Sequence, residues 1–336
     1  MSSATLENQY RIATTSAGLF AGPDRGLIEV SGADRAAWLH NLCTNEVKSL
    51  VPGRGNYAFA CNVKGRTLFD LDVLVLDDRL WLDLDAGWID AALNHLNRYL
   101  ITENVTLSNR TADFTRLSVM GPAAAEVVAR MGFGDLASMT RLQHSALTWQ
   151  GRDGLLVRND FVGLPVAMMI VPRAAAADLT PALLDAGRPS GLARIDPPTV
   201  ETLRIEAGLP ASRRDIDEEV IPPETGQIER GISYTKGCYL GQEVIERMRS
   251  HNALARRLVG IRLDGDAPPP VSARLNSGQT DVGRLTSAAW SCALGAVLGL
   301  GYVRTALARQ GESLSISTPA GSIRGEIVSL PVRPLG

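Results

Sequence analysis

The chain has 336 residues, of which 45% are hydrophobic, and its formal net charge is −2. This length predicts two or three domains with apolar cores. The small net charge argues against a strongly basic nucleic-acid-binding protein, so no direct contact with nucleic acid is expected. No apolar run reaches the roughly 18 residues that a membrane span needs, so no membrane contact is expected. The first residues, MSSATLENQYRIATT, also lack the pattern of a signal peptide.

The cysteines are few and far apart in the sequence. They are Cys43, Cys61, Cys238 and Cys292. This usage is typical of reduced thiols in the cytoplasm rather than of a disulfide framework. There is no CxxC motif and the histidines show no metal-ligand spacing, so neither a zinc site nor an iron–sulfur site held by the protein alone is expected. The sequence leaves open whether the four thiols converge in space.

The first hundred or so residues predict an α+β unit. The segment GLIEVSGADRAAWLHNL predicts a strand, a turn at Gly32 and a helix from about Ala33. Residues 56–85 predict three strands, divided by turns at 64–65 and 77–78. A helix is predicted over 87–100, because apolar residues recur there at helical spacing.

A second unit repeats the layout of the first. The segment RLSVMGPAAAEVVARMG has the same order of strand, glycine and helix as the segment around Gly32, which suggests an internal structural repeat. Further strands are predicted over 154–171, and helices near 173–186 and 198–207.

The last part of the chain predicts a small β structure. The segment DGDAPPPVSAR (264–274) is interpreted as a boundary, because three consecutive prolines break regular structure. Short strands with glycine turns follow and predict a barrel or sandwich. We therefore predict an α+β fold with units at 1–112, 113–255 and 256–336. Strands and helices alternate too irregularly for a doubly wound sheet.

The segment YTKGCYLGQE (234–243) places a thiol next to a lysine and just before a predicted helix. The positive end of the helix dipole and the charge of Lys236 would both favour a thiolate at Cys238. The thiol would then be a nucleophile, a redox sensor or a metal ligand. Alternatively, Gly237 and Gly241 shape a tight turn and Cys238 is a small buried filler. No histidine lies nearby in sequence, which argues against a Cys–His dyad.

Two carboxylates lie in the predicted strand TLFDLDVLVL. Asp70 and Asp72 share one face of it, because side chains alternate along a strand, and apolar residues occupy the other face. Such a pair is either plain surface or points into a ligand cavity, and the pattern does not decide between the two.

The string K-G-C-Y-x-G-Q-E resembles the signature of the YgfZ family, which belongs to the wider folate-binding superfamily of the glycine-cleavage T-protein. The segments IEVSGADRAAWLHNLCTNEV, NVKGRTLFDLDVLV, LRIEAGLP and GRLTSAA also resemble family segments, in family order. The resemblance covers most of the chain. The motif consists of Lys236, Gly237, Cys238, Tyr239, Gly241, Gln242 and Glu243.

The resemblance implies three domains in a ring around a central channel that binds tetrahydrofolate. It also implies an accessory role in the assembly or repair of iron–sulfur clusters in client enzymes, including a radical enzyme that modifies tRNA. Cys238 would be the functional thiol, and Lys236 would hold it as the thiolate. Gly237 and Gly241 would permit the turn, and Gln242 and Glu243 would supply hydrogen bonds at the first helical turn.

The same superfamily offers a second interpretation, a tetrahydrofolate-dependent aminomethyltransferase or demethylase. Asp70 occupies a position that resembles that of the T-protein's key aspartate, near the reactive folate nitrogen. Two positions differ from the T-protein: Met168 stands where a pterin-contacting glutamate is expected, and Val200 where an arginine is expected. YgfZ relatives can place aromatic residues at the Val200 position and near Arg25, and this chain has neither. By position, the resemblance makes Asp70, Val200 and Arg25 the candidate folate contacts. A non-catalytic folate-binding scaffold is a third interpretation.

Overall fold

The structure, a computed structural model, describes residues 2–22, 25–251, 254–319 and 321–334. Two mainly antiparallel sheets, flanked by short helices, precede a closed barrel of six strands. The predicted α+β fold with a carboxyl-terminal barrel is confirmed. Within the described residues, no helix has both the length and the apolar character that crossing a membrane requires.

The first sheet has five antiparallel strands in the order β3-β4-β5-β2-β6. The strands are β2 (Arg25–Ser31), β3 (Gly55–Cys61), β4 (Thr67–Val75), β5 (Arg79–Asp85) and β6 (Thr106–Asn109). Helices α2 (Arg35–His40) and α3 (Ile89–Asn97) cover one face and share its apolar core. Alternation along β4 buries Phe69, Leu71 and Val73 in that core, which turns Asp70 and Asp72 to the other face.

The second sheet has six strands in the order β11-β1-β7-β10-β9-β8. The strands are β1 (Gly18–Phe20), β7 (Phe114–Met120), β8 (His144–Trp149), β9 (Arg152–Asn159), β10 (Val166–Pro172) and β11 (Ala193–Arg194). Its helices are α1 (Ser3–Thr15), α4 (Ala124–Arg130) and α5 (Ala176–Gly187). Strand β1 pairs with β7 and β11, so the amino-terminal segment belongs to the second sheet. The predicted boundaries of the first unit, 1–112, do not account for this pairing of the amino-terminal segment with the second sheet.

The two glycines that suggested an internal repeat occupy equivalent positions. Gly32 follows β2 with φ +105°, and Gly121 follows β7 with φ +119°. A Cβ at Gly32 would lie 2.1 Å from the Asn104 carbonyl oxygen, and one at Gly121 would lie 2.4 Å from the Ala13 carbonyl oxygen. Both positions therefore need glycine, for its backbone freedom and its small size.

The barrel closes in the order β12-β15-β14-β13-β16-β17. Its strands are β12 (Arg256–Leu263), β13 (Arg274–Ser277), β14 (Thr280–Ser291), β15 (Ala296–Arg304), β16 (Ser313–Thr318) and β17 (Gly321–Val328). Helices α6 (Pro197–Glu206), α7 (Ile228–Gly231) and α8 (Gln242–His251) lie before it in the chain. The interpretation of 264–274 as a boundary is wrong, because this proline-rich segment connects β12 to β13 inside the barrel. The prolines end a strand, and the chain then returns to the same sheet.

The sheets and the barrel are tied together by buried contacts. One apolar cluster joins Leu27 and Leu74 of the first sheet to Met120 and Met168 of the second. Helix α6 contacts the barrel through Arg204, which donates from Nη2 to Ser287 at 2.9 Å. These contacts hold the two sheets and α6 around a common cavity.

Candidate functional site

A cavity of about 840 Å³ lies between the two sheets, α6 and the segment 209–214. Its volume is that of a small-molecule site. The three predicted folate contacts, Arg25, Asp70 and Val200, all line it. Aromatic and apolar side chains make up part of the wall: Phe20, Tyr57, Phe161, Met168 and Val200.

Asp70 presents an unsatisfied oxygen in this cavity. Its Oδ2 accepts a hydrogen bond from the Tyr57 hydroxyl at 2.9 Å, whereas its Oδ1 is buried and has no partner among the described residues. Burial raises the pKa of Asp70; the nearby Ser212 hydroxyl, whose geometry does not complete a hydrogen bond to the carboxylate, the Tyr57 hydroxyl and the charge of Arg25 act in the opposite direction. The structure thus decides the choice left open by the sequence: this face of β4 points into a cavity.

Asp72 is a second cavity carboxylate two residues along β4. Asn159 of β9 donates to its Oδ2 at 3.3 Å. Burial raises the pKa of Asp72 to about 6, although the charges of Arg141 and Arg25 favour the ionised form. The site therefore holds two aspartates whose pKa values are both raised by burial.

A buried carboxylate holds two arginines of the cavity wall. Asp83 on β5 is fully buried; its Oδ1 accepts from Nε of Arg25, and its Oδ2 accepts from Nε of Arg116 at 2.9 Å. Burial alone would raise the pKa of Asp83, but the two guanidinium groups outweigh it and lower the pKa below its usual range. Both arginines line the cavity, and Nη1 of Arg116 has no partner among the described residues.

Tyr57 is held in place by a second pair of arginines. Arg141 and Arg230 both bind Oδ1 of Asp160, at 3.0 and 2.9 Å, and each guanidinium lies 5.8 Å from the centre of the Tyr57 ring. Burial raises the pKa of Tyr57 well above its ordinary value, so the phenol stays protonated and donates to Asp70.

Cys238 lies outside this cavity. It is exposed, in the loop before α8, and is not among the residues that line the cavity. Lys236 is buried, and its Nζ donates to the carbonyl oxygens of His40, Cys43 and Asn45. Since an ammonium group has three donors, all of them are used. The structure therefore gives Lys236 the role of fixing the loop after α2, which differs from the predicted activation of Cys238.

The rest of the motif shapes the contact between this loop and β3. Gly241 has φ +85°, and a Cβ there would lie 2.6 Å from the Asn62 carbonyl oxygen. Gly237 has no such restriction, because nothing lies within 4 Å of its added Cβ. Tyr239 packs in an apolar cluster with its ring centre 5.1 Å from Nζ of Lys236. Gln242 and Glu243 begin α8, and their side chains make no hydrogen bond within the described residues.

The described residues contain no cluster of three or more histidine, cysteine, aspartate or glutamate side chains placed to hold a metal ion. Cys43 and Cys61 are buried, and Cys292 is half-buried.

Comparison with known proteins places the chain in a family. Residues 2–235 match the GCVT N-terminal domain, and residues 256–332 match the glycine cleavage T-protein C-terminal barrel domain. The chain belongs to the glycine cleavage T-protein family. The resemblance to this superfamily is thereby confirmed, whereas membership of YgfZ in particular is not shown by these matches.

Members of the family named aminomethyltransferase match the chain over nearly its whole length. The protein from Halothermothrix orenii is 26% identical over 328 residues, 97% of this chain and 91% of that protein. The Bacillus subtilis protein is 25% identical over 331 residues, with coverage of 98% and 91%. The glycine cleavage system aminomethyltransferase T from Bartonella henselae has the same fold, with a TM-score of 0.88 at 20% identity, covering 98% of this chain and 90% of that one.

These relatives correct the function expected from the sequence. The prediction of an accessory role in iron–sulfur cluster assembly is wrong, because relatives that match nearly the whole chain are named aminomethyltransferases. The findings favour the second interpretation. Aminomethyltransferases of this family use tetrahydrofolate, so the expected cofactor is confirmed at the level of the family.

Sequence reasoning missed several cavity residues that carry a readable signal. Arg116 interrupts the strand FTRLSVM, and its buried partner Asp83 interrupts the apolar strand LWLDLD. A charged residue among buried strand positions needs a partner, which is a reason to suspect a polar site. Tyr57 and Asn159 carry no comparable signal, because nothing in their local sequence shows that both side chains line a cavity between two sheets.

Proposed function

We propose that this chain is a tetrahydrofolate-dependent one-carbon transferase that uses an aminomethyl donor. The observation that carries the proposal is the Asp70 carboxylate, which lines a cavity of small-molecule size and has one oxygen without a partner among the described residues. The name of its full-length relatives, aminomethyltransferase, supports the same chemistry.

The cavity residues fit a reduced folate. Such a ligand has a flat fused ring that needs apolar contact on its faces and hydrogen-bonding partners at its edge. Phe161, Met168 and Val200 offer apolar surface. Asp70 offers an acceptor and Arg116 a donor that have no partner in the part of the chain that the structure describes. When bound, tetrahydrofolate would supply the amine nitrogens that accept a one-carbon unit.

Asp70 is the residue best placed to hold a proton during transfer. Tyr57 fixes Oδ2 of Asp70, which leaves Oδ1 to accept an N–H from a bound amine. Burial raises the pKa of Asp70, which brings the carboxyl closer to the range in which an acid exchanges protons efficiently near neutral pH. Arg141 and Arg230 hold the Tyr57 ring and so keep this orientation.

The proposal is tested by tetrahydrofolate titration in a calorimeter, together with a transfer assay that supplies the other glycine cleavage proteins. Wild type should bind tetrahydrofolate and form its one-carbon derivative. Asp70→Asn keeps the size of the side chain but not its acid–base chemistry, so kcat/KM should fall by at least about a hundredfold while binding persists.

Asp78→Asn serves as the control, because Asp78 is a surface aspartate paired with Arg79. It should retain wild-type transfer. If wild type does not bind tetrahydrofolate at millimolar concentration, or if Asp70→Asn transfers as fast as wild type, the proposal fails.

Two finer expectations stay predictions. One is that the KGCYxGQE segment assigns the chain to the YgfZ branch, and the other is that the protein is cytoplasmic. Neither is needed for the proposed transfer, since the motif residues are not among those that line the cavity.

A further inference from the structure

Arg116 is an almost completely buried cation, 6% exposed, in the cavity wall. Its Nε binds Asp83 at 2.9 Å, and its Nη2 lies 3.4 Å from the Gly26 carbonyl oxygen. Its Nη1 has no partner within the part of the chain that the structure describes. A buried donor without an acceptor is costly, so this position favours a bound molecule that brings an acceptor.

The charge at this position also favours an electron-rich acceptor. Arg116 and Arg25 share the single carboxylate of Asp83. Arg25 also faces the charges of Asp72 and Asp70, whereas the ion pair of Arg116 is with Asp83 and leaves the Nη1 donor unused. An oxygen that carries partial negative charge is therefore a better partner than a nitrogen donor.

The exposure of the cavity arginines indicates which end of a folate reaches Arg116. The side chains of Arg213 and Arg214 also line the cavity, but they are 55% and 48% exposed. Carboxylates are costly to remove from water, so the glutamate end of a folate suits these exposed arginines. The buried end, with Arg116 and Asp70, is left for the fused ring.

We propose that Nη1 of Arg116 donates a hydrogen bond to the carbonyl oxygen at position 4 of the pteridine ring, and so selects 4-oxo over 4-amino rings. This inference rests on the proposed function and assigns Arg116 as a specificity-determining residue. The carboxylate of a free amino acid would offer a similar acceptor oxygen, and the experiment separates these two sources.

The test is a calorimetric comparison of tetrahydrofolate with its 4-amino analogue, which presents a donor where the carbonyl oxygen was. Wild type should bind the 4-amino analogue about ten- to a hundredfold more weakly. Arg116→Lys can keep the ion pair with Asp83, but lysine has a single side-chain nitrogen and therefore no equivalent of the Nη1 donor. Its preference for the 4-oxo ring should therefore fall below about threefold. Arg130→Lys changes an arginine outside the cavity that pairs with Glu126, and should keep the wild-type preference.

The outcomes distinguish this inference from the proposed function. Failure of wild type to bind tetrahydrofolate would refute the proposed function itself. Binding with an equal preference in wild type and Arg116→Lys would overturn only the role of Arg116. N-methylglycine serves as the amino-acid probe. If Arg116→Lys weakens binding of N-methylglycine but not of tetrahydrofolate, the proposed role of Arg116 is overturned as well. If urea unfolding shows that Arg116→Lys does not fold, wild type alone decides, and a preference below about threefold overturns the inference.

Discussion

Replacing Asp72 by asparagine should make the ligand-free protein more stable at neutral pH, by an amount that depends on pH. In the unfolded chain an aspartate has a pKa near 3.9, whereas burial raises the pKa of Asp72 in the folded protein to about 6. Between these two values the folded protein binds more protons than the unfolded chain. The free energy of unfolding therefore falls as pH rises through this window, and the loss is complete above the folded pKa.

The size of this effect follows from the shift in pKa. One pKa unit corresponds to about 1.4 kcal/mol, so Asp72 should lower the stability of wild type by up to about 3 kcal/mol at neutral pH relative to acid pH. Asparagine does not titrate and can still accept the hydrogen bond from Asn159. The stability of Asp72→Asn relative to wild type should thus increase with pH and level off above about pH 7.

Urea unfolding of both proteins between about pH 4 and pH 8 measures this difference. Asp78→Asn is an informative control of opposite sign, because the hydrogen bond from Arg79 lowers the pKa of Asp78. A stability difference between Asp72→Asn and wild type that does not change with pH, or that decreases as pH rises, would refute the reasoning.

Three further predictions concern the KGCYxGQE segment. Gly241→Ala should lower the free energy of unfolding by at least about 2 kcal/mol, because φ is positive and a Cβ would clash with backbone atoms. Gly237→Ala should change it by less than about 0.5 kcal/mol, because a Cβ there meets open space. Urea unfolding of the two variants measures both values. Lys236→Met should destabilise the protein by about 2–3 kcal/mol in the same assay, because it leaves three carbonyl oxygens, two of them in buried hydrogen bonds, without their donor. An unchanged midpoint would contradict this. Cys238→Ser should leave tetrahydrofolate affinity unchanged in calorimetry, because Cys238 lies outside the cavity, and a tenfold loss would show that the thiol takes part in binding.

Local patterns predicted most of the sheet elements. The three strands over 56–85 and the helix after them are observed, because alternation and helical spacing directly reflect which face is buried. The pairing of β1 with the second sheet was not predicted, because a strand of three residues is too short to show an alternation pattern from which its partner could be inferred. The proline run at 264–274 shows a second limit: prolines indicate where a strand ends but not whether the chain has left the domain.

The candidate site was predicted in part. Asp70, Val200 and Arg25 were named from the resemblance, and all three line the cavity. The chemical account of Cys238 depended on the neighbouring Lys236, but sequence proximity did not reveal that this ammonium group turns inward to three carbonyl oxygens. A side chain two residues away can bind a different partner when the backbone between them turns.

The most direct test of the central claim, that this cavity holds the pterin end of a folate beside Asp70, is a crystal structure of the protein with 5-formyl-tetrahydrofolate. The account predicts electron density for the fused ring among Tyr57, Phe161 and Val200, with a ring or bridging nitrogen about 3 Å from an oxygen of Asp70. Density for the ligand elsewhere on the protein, or with its glutamate end against Asp70, would contradict it.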